Sequence, residues 1–201
     1  MGKTTTKKGL KVKVLNINDR ELEIELSGVE TYFVNALRRI LLAEVSTMAA
    51  ETLRVIKNTS IVQDEVIAHR LGLVPLKVTD EVLEAGFGSM SLSATCSSDG
   101  ITSVYSGDLK ASRGISMPHT DILIAKLTKG QELELEVDCI TGVGSDHGKF
   151  SPVCHASFKP SGKPQSFILD IETVGSMTSS EAFLKSLDIF ERKLDLSRKL
   201  S

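Results

Sequence analysis

Apolar and polar residues alternate over the first part of the chain and then recur at helical spacing. From residue 10 to 26 the alternation has a period of two on both sides of a turn at 18–20, which predicts a β-hairpin. From 33 to 45 apolar residues recur every three or four positions, which predicts an amphipathic helix ending near residue 43 or 44. The tetrapeptide S-G-V-E at 27–30 has the form of a capping box for that helix.

The middle of the chain has the patterns of short strands and little helix. A strand is predicted at 47–56, and a short helix or turn at 64–73 ends at Gly72 before Pro75 breaks the pattern. Six further strand-like runs follow, at 89–94, 102–105, 121–127, 132–140, 153–158 and 166–171. Most of this region is therefore expected to be β-structure.

A second amphipathic helix is predicted at the end of the chain. The tetrapeptide T-S-S-E at 178–181 repeats the capping-box form. The apolar residues that recur after it at helical spacing are Phe183, Leu187, Phe190 and Leu194. On spacing alone, such a stripe is more typical of a chain's own core than of a partner interface.

The two helices lie near opposite ends of the chain, which bears on domain organisation. Packed together with the hairpin and the final strand, they would form one discontinuous domain into which the β-rich middle is inserted. The expected boundaries are 1–47 with 158–201 for the discontinuous domain and 48–157 for the inserted domain. The predicted fold class is therefore α+β in two parts.

The composition narrows the classes of function. The 201 residues include 24 basic and 26 acidic side chains, and a formal charge of −2 gives no general attraction to nucleic acid. No run approaches the roughly 20 apolar residues of a membrane span. Residues 1–8 are expected to form a short disordered basic tail rather than a secretory signal. The three cysteines, Cys96, Cys139 and Cys154, are expected to be reduced and buried.

Few motifs point to catalysis or metal binding. The glycine-rich stretch 142–148 fails the dinucleotide-binding spacing and leads into a strand, so a loop between strands is the favoured interpretation. The histidines and the nearby cysteine have no paired ligand spacing: His69, His119, His147, Cys154 and His155. No sequence-local nucleophile and base are found. An enzyme with scattered active residues stays open but unsupported.

Two arginines interrupt the apolar pattern of the first helix. Arg38 and Arg39 either lie on a solvated face with their stems over the core, or they reach acidic or carbonyl groups of another chain with their forked donors. The residue pattern leaves both interpretations open.

The segment around these arginines resembles a known family. N-A-L-R-R-I-L-L at 35–42, with its flanks at 34–45 and 47–49, resembles the signature helix of the D and third-largest subunits of archaeal and eukaryotic RNA polymerases. That family is related to the bacterial alpha N-terminal domain. Further blocks resemble the family in its own order, at 58–60, 64–76, 104–109, 129–133, 142–153 and 172–175. Their combination is more specific than any single block.

The resemblance implies a dimerisation domain from both chain ends, an inserted β-rich domain, and a non-catalytic assembly role in a DNA-directed RNA polymerase. In the family the two helices pack against counterparts in a smaller alpha-like subunit. The residues implied for this partner seam are Phe33, Leu37, Leu41, Phe183, Leu187, Phe190 and Leu194.

By the same resemblance, the heterodimer is the platform on which the second-largest and then the largest subunit assemble. The residues implied to contact a large subunit are Arg38, Arg39, Asp146, His147, Lys149 and Phe150. Nucleotide addition would belong to the large subunits, so no catalytic residue and no sequence-specific DNA contact are expected here.

The chain departs from many members of this family. A cysteine-rich insertion that holds an iron–sulfur cluster or zinc is common there, whereas residues 78–103 contain only Cys96, so no metal and no cofactor are expected. The short form suits a cytoplasmic archaeal-like subunit, a nuclear eukaryotic one or a virus-encoded one. Two other functions stay open: a homodimer of the bacterial alpha kind, and a small nucleotide- or metal-dependent enzyme that uses the 142–148 loop.

Overall fold

The chain divides into two units in this computed structural model, which describes residues 9–199. One unit, hereafter the terminal unit, is formed by Met1–Val45 with Pro152–Ser201, and the other, the middle unit, by Ser46–Ser151. The basic tail predicted at 1–8 lies outside the described residues. The α+β class is confirmed.

Within residues 9–199 the chain forms twelve strands and four helices. The strands are β1 Lys11–Ile17, β2 Glu21–Ser27, β3 Ser46–Asn58, β4 Lys77–Val78, β5 Phe87–Thr95, β6 Thr102–Tyr105, β7 Lys110–Ala111, β8 Ile115–Ser116, β9 Leu123–Leu127, β10 Glu132–Val143, β11 Val153–Pro160 and β12 Ser166–Thr173. The helices are α1 Thr31–Ala43, α2 Asp64–Gly72, α3 Asp80–Ala85 and α4 Ser179–Lys199.

The terminal unit is an antiparallel sheet with two helices packed on one face. The strand order is β1-β2-β12-β11, so the first and last hairpins meet where β2 pairs with β12. Side chains alternate between the faces of a strand, and alternate residues of the two inner strands are fully buried towards the helices. The core of this unit includes Leu22, Ile24, Leu26, Val34, Leu37, Leu41, Leu169 and Ile171.

Helix α4 begins with the predicted capping box and is attached to the first hairpin. The N–H and the hydroxyl of Thr178 donate to the Glu181 carboxylate at 2.8 and 2.9 Å, and the Glu181 N–H donates back to Thr178 Oγ1 at 3.3 Å. The next hydroxyl, that of Ser179, donates to the carbonyl oxygen of Asn18 at 2.7 Å. This bond fixes the start of α4 at the turn between β1 and β2.

The capping box predicted for α1 at 27–30 is not formed. The helix begins at Thr31, and Glu30 makes no side-chain cap bond. The two side chains are engaged elsewhere, because Ser27 Oγ lies 2.8 Å from Ser166 Oγ and Gln165 Nε2 donates to Glu30 Oε1 at 2.6 Å. Contacts with the distant β12 end therefore outcompete the local motif.

The middle unit is built on a second antiparallel sheet. Its strand order is β3-β10-β5-β7, and two further pairs, β4 with β8 and β6 with β9, lie beside it in the same unit. Helix α2 contributes Ile67 and Leu71 to the core. The largest fully buried side chains of this unit are Met48, Ile67, Leu71, Leu76, Leu92, Ile124, Leu127 and Leu133.

Two features differ from the sequence expectation. Strand β11 pairs with β12 from Val153 to Pro160, so the second unit boundary falls at Ser151/Pro152 and not at 157/158. Helix α3 has only six residues, too few to show a helical period, and Gly86, whose φ of 75° suits glycine, is its C-cap. Pairing between distant strands and very short helices leave little periodicity in the local sequence, so the sequence does not predict them.

The cysteines are free, but they are not all buried. Cys96 and Cys139 are buried as predicted, and burial raises the pKa of the Cys139 thiol to about 11. Cys154 is exposed, so the prediction is wrong for this residue. It lies on the edge strand β11, where the pairing with β12 has an irregularity between Val153 and His155 and both Cys154 and His155 are exposed.

Candidate functional site

The predicted seam residues of the two helices fall into a buried group and a partly exposed group. Leu37, Leu41 and Phe183 lie in the core of the terminal unit. Phe33 and Phe190 are half-buried, and their rings meet edge to face with centroids 5.2 Å apart. This contact joins α1 to α4 and leaves part of both rings accessible.

The apolar stripe of α4 becomes exposed towards the C-terminal part of the helix. Leu187 is half-buried and Leu194 is 47% exposed. Leu184, 58% exposed, precedes Leu187 by three residues and so lies on the same side of the helix. An ion pair of 2.6 Å between Lys193 Nζ and Glu44 Oε1 holds this part of α4 to the end of α1. The helix is thus fixed while its leucines stay exposed.

A second exposed apolar side belongs to β1 and was not part of the sequence prediction. Directly opposite residues of paired strands share one face of a sheet. The pairs are Val12 with Leu26, Val14 with Ile24, and Ile17 with Leu22. The β2 members are buried under the helices, whereas the three β1 side chains are 51–55% exposed. The alternation of apolar and polar residues along β1 indicates that one side of the strand is apolar. It does not indicate whether a helix covers that side.

The exposed apolar residues of β1 and α4 are considered together from here on. We call Val12, Val14, Ile17, Leu184, Leu187 and Leu194 the exposed seam. All six belong to the terminal unit, and all six are apolar side chains on an element whose other side is already packed or paired.

The two arginines of α1 have different surroundings. Arg38 is half-buried and donates from Nε and Nη2 to Asn35 Oδ1 at 3.2 and 3.1 Å, which fixes its guanidinium along the helix. Arg39 is exposed, so its guanidinium is accessible to another chain.

The loop after β10 has a packed part. Phe150 is buried over Gly142, where a Cβ atom would lie 2.7–2.8 Å from atoms of the ring. Lys149 Nζ donates to the Ala50 carbonyl oxygen at 2.9 Å, pairs with the Glu51 carboxylate and lies 5.0 Å from the Phe150 ring centroid. These two side chains fix the loop to β3.

The same loop has an exposed part. Asp146 and His147 are exposed, and the Val143 N–H donates to Asp146 Oδ2 at 3.4 Å. The Lys149 N–H donates to His147 Nδ1 at 3.0 Å. Because Nδ1 accepts this bond, a neutral His147 carries its proton on Nε2. The loop therefore presents a carboxylate and an imidazole N–H as neighbours in the chain.

The alternatives of a phosphate site and a metal site find no geometric support among the described residues. Strand β10 ends at Val143 and leads through a 3₁₀ turn, Gly148–Phe150, to β11, and not into the helix that a phosphate loop requires. Within residues 9–199, no three His, Cys, Asp or Glu side chains are arranged to hold a metal ion. No helix in that range is long and apolar enough to cross a membrane.

An exposed apolar side of this kind is typical of a subunit that associates with another chain. A comparison with protein-family models agrees, because residues 23–194 match the RNA polymerase Rpb3/Rpb11 dimerisation domain. The chain belongs to this family, as its resemblance predicts.

Relatives of known description come from archaea and eukaryotes. DNA-directed RNA polymerase subunit Rpo3 of Methanocaldococcus jannaschii is 36% identical, with 81% of each chain covered. Subunit Rpo3 of Pyrococcus horikoshii is 41% identical over 71% of this chain and 57% of its own. DNA-directed RNA polymerases I and III subunit RPAC1 of Saccharomyces cerevisiae is 36% identical over 76% of this chain and 57% of its own. The chain spans little more than half the length of the eukaryotic relatives it matches.

Proposed function

We propose that this chain is a non-catalytic assembly subunit of a multisubunit DNA-directed RNA polymerase. It pairs through the terminal unit with a smaller alpha-like chain, and the heterodimer recruits the second-largest and then the largest subunit. It works where that polymerase works, in the cytoplasm of an archaeon or the nucleus of a eukaryote. The membership of the family and the names of the relatives support the polymerase assignment.

The exposed seam is the observation that carries the heterodimer. Fully burying a Val, Leu or Ile side chain contributes about 1.5–3 kcal/mol, so covering six half-exposed ones gives roughly 6 kcal/mol. Association costs about 4–15 kcal/mol in lost freedom of motion. The seam alone therefore meets only the lower part of that cost, and the partner must also cover the half-buried edges of Phe33 and Phe190.

The buried seam candidates have a supporting role in this proposal. Leu37, Leu41 and Phe183 have little or no accessible surface of their own. They hold α1 and α4 against the sheet, and so they keep the exposed leucines of α4 in place for the partner. Truncating them acts on the stability of this chain before it acts on the partner.

Charged groups on each of the two units, taken separately, provide further contacts to a large subunit. Arg39 is exposed on α1, while Arg38 is held by Asn35, so Arg39 is the member of the pair that reaches a large subunit. Asp146 and His147 are the exposed residues of the loop after β10. Charged groups on an assembled platform favour one partner over another more than they add affinity.

The first test is purification of the tagged chain from its source, with mass measurement of the intact complex. One small alpha-like chain with two very large subunits at equal stoichiometry would support the proposal. A pair of identical chains would favour the homodimer of the bacterial alpha kind, and a lone chain with bound nucleotide or metal would favour an enzyme. Either of these two results would overturn the heterodimer.

The arginines are tested separately on the reconstituted heterodimer. Replacing Arg38 and Arg39 together by Ala should leave the heterodimer intact and weaken capture of the second-largest subunit. Arg39→Ala alone should account for most of the loss, because Arg38 already bonds to Asn35. If the double variant captures the large subunit normally, the arginines are a solvated face and have no contact role.

A further inference from the structure

The loop after β10 contains four residues implied as large-subunit contacts, yet only two of them are available to a partner. The side chain of Lys149 is 14% exposed and Phe150 is buried, whereas Asp146 and His147 are exposed. We propose that Lys149 and Phe150 are positioning residues, and that Asp146 and His147 touch the partner. The contact half of this proposal rests on the proposed function.

Phe150 forms the base of the loop. Its carbonyl oxygen accepts the Thr47 hydroxyl at 2.6 Å, and its ring packs over Gly142. Gly142 and Thr47 stand opposite each other in the pairing of β10 with β3. The ring and the carbonyl of one residue are therefore both fixed at the same end of the sheet, and glycine is required there because a side chain would occupy the place of the ring.

Lys149 fastens the loop a few residues further along β3. Its ammonium group has three donors, and the Ala50 carbonyl and the Glu51 carboxylate take up two of them. The Phe150 ring lies against the same ammonium group. A lysine held in this way has little left for a second chain, and its bonds hold the backbone of residue 149 in place.

The fixed backbone of residue 149 in turn orients His147. The Lys149 N–H is the donor to His147 Nδ1, so the direction of the imidazole ring follows the position of that amide. Both His147, which carries Nε2–H when neutral, and its chain neighbour Asp146 are exposed. A matching partner surface would offer an oxygen atom that accepts from His147 Nε2–H. Close to it, a Lys, Arg or backbone N–H would donate to the Asp146 carboxylate.

Hydrogen exchange of the isolated chain tests the positioning role without any partner. Lys149→Met keeps most of the stem and removes the charged bonds, and amides 146–150 should then exchange about tenfold faster, as expected for the loss of a bond to a charged group. Lys149→Arg should restore the slow exchange, because Arg also donates to a carbonyl and a carboxylate. Lys126→Met removes an exposed lysine of β9 and should change nothing in this loop.

Capture of the second-largest subunit by the reconstituted heterodimer tests the contact role. His147→Ala should weaken capture about tenfold by removing a hydrogen bond to the partner. Lys149→Met should weaken it similarly, and the two changes together should cause no greater loss than His147→Ala alone. An additive loss would mean that Lys149 makes its own contact and would overturn the positioning role.

The two experiments fail in different ways. Unchanged exchange in Lys149→Met overturns the positioning role whatever the polymerase result. Fast exchange in Lys149→Met, with normal capture in Lys149→Met, His147→Ala and a third variant, Asp146→Asn, overturns the contact role of His147 and Asp146. A wild-type heterodimer that captures no large subunit overturns the proposed function and the contact role with it, while exchange alone still decides the positioning role.

Discussion

The terminal and middle units each bury one face of an antiparallel sheet, yet they expose apolar side chains in different ways. In the terminal unit the exposed apolar residues are concentrated on β1 and α4. In the middle unit they are spread over several strands, helix α2 and loops: Ile56, Ile61, Val66, Leu73, Phe87, Ile101 and Tyr105. Single exposed apolar residues are normal on any protein surface, whereas a concentrated set indicates an interface.

The difference follows from how each unit closes its core. The middle unit covers its sheet with α2 and with residues of the β6–β9 pair, such as Ile124 and Leu127. The terminal unit has two helices for four strands, and these cover β2, β12 and part of β11 but leave β1 open. The terminal unit is therefore left with an exposed apolar side, which the proposed partner chain would cover.

The strongest test of this comparison places a charge in the exposed seam. Val14→Asp should abolish the heterodimer, because an unpaired carboxylate at a covered position costs about 3–5 kcal/mol. The chain itself should stay folded, since Val14 is half exposed in the single chain. Size-exclusion chromatography with mass detection, with the small alpha-like chain present, measures the loss.

The matched control lies in the middle unit. Ile101→Asp changes a residue that is 68% exposed on a loop, and it should leave the heterodimer as it is. If Val14→Asp also forms the heterodimer normally, β1 is not part of the seam, and the concentration of apolar residues there has another cause.

Two leucine-to-alanine variants in the terminal unit distinguish a core residue from a residue of the exposed seam. Leu41→Ala should lower the free energy of unfolding by about 2–5 kcal/mol, because the leucine is fully buried and a cavity remains. Leu194→Ala should change that free energy by no more than about 0.5 kcal/mol and should weaken the heterodimer. Urea unfolding and a binding titration measure the two effects. A large stability loss in Leu194→Ala would contradict its place in the seam.

The middle unit is tested at the base of its loop. Gly142→Ala should lower the free energy of unfolding by about 1–3 kcal/mol, because the added methyl group overlaps the Phe150 ring. Gly148→Ala is the matched control, since nothing lies within 4 Å of the Cβ it would add. Equal thermal unfolding midpoints for the two variants would show that the ring moves aside freely.

The smallest expected effect concerns pH and the outer face of the terminal sheet. Lys163 Nζ lies 3.0 Å from Glu25 Oε1, and this ammonium group is the main cause that holds the pKa of Glu25 below its ordinary value of 4.5. The folded chain therefore binds this proton less readily than the unfolded chain. The resulting stability is present above pH 4.5 and is lost as the pH falls through the lower folded pKa.

Lys163→Met should reduce this acid dependence. Urea midpoints at neutral pH and at steps below pH 4.5 should converge with those of the wild type as Glu25 becomes protonated. Lys159→Met, which removes a lysine 3.9 Å from Glu23 on the same sheet, should keep the wild-type profile. If the urea midpoints of Lys163→Met and the wild type change with pH in parallel, Lys163 is not the cause of the lowered pKa of Glu25.

Much of the fold could be predicted from local pattern. The helix after residue 30, the strand that follows it and the capped final helix all lie where periodicity and the T-S-S-E motif predict them. The candidate site was only partly predictable. The stripe on α4 was visible in the sequence, but Leu184 and the β1 residues were not, because exposure depends on which strands the helices cover.

The sequence by itself determined the α+β class, the two amphipathic helices and, through its blocks of resemblance, the family. These features depend on residues close together in the chain or on short motifs. Only the tertiary structure decided that Leu37 and Leu41 fill the chain's own core and that Lys149 is bonded to β3. It also decided that the 27–30 motif does not form a capping box. Each of these depends on contacts between residues far apart in the chain. Such contacts compete with local conformational preferences, and the sequence of one segment does not show which of the two prevails.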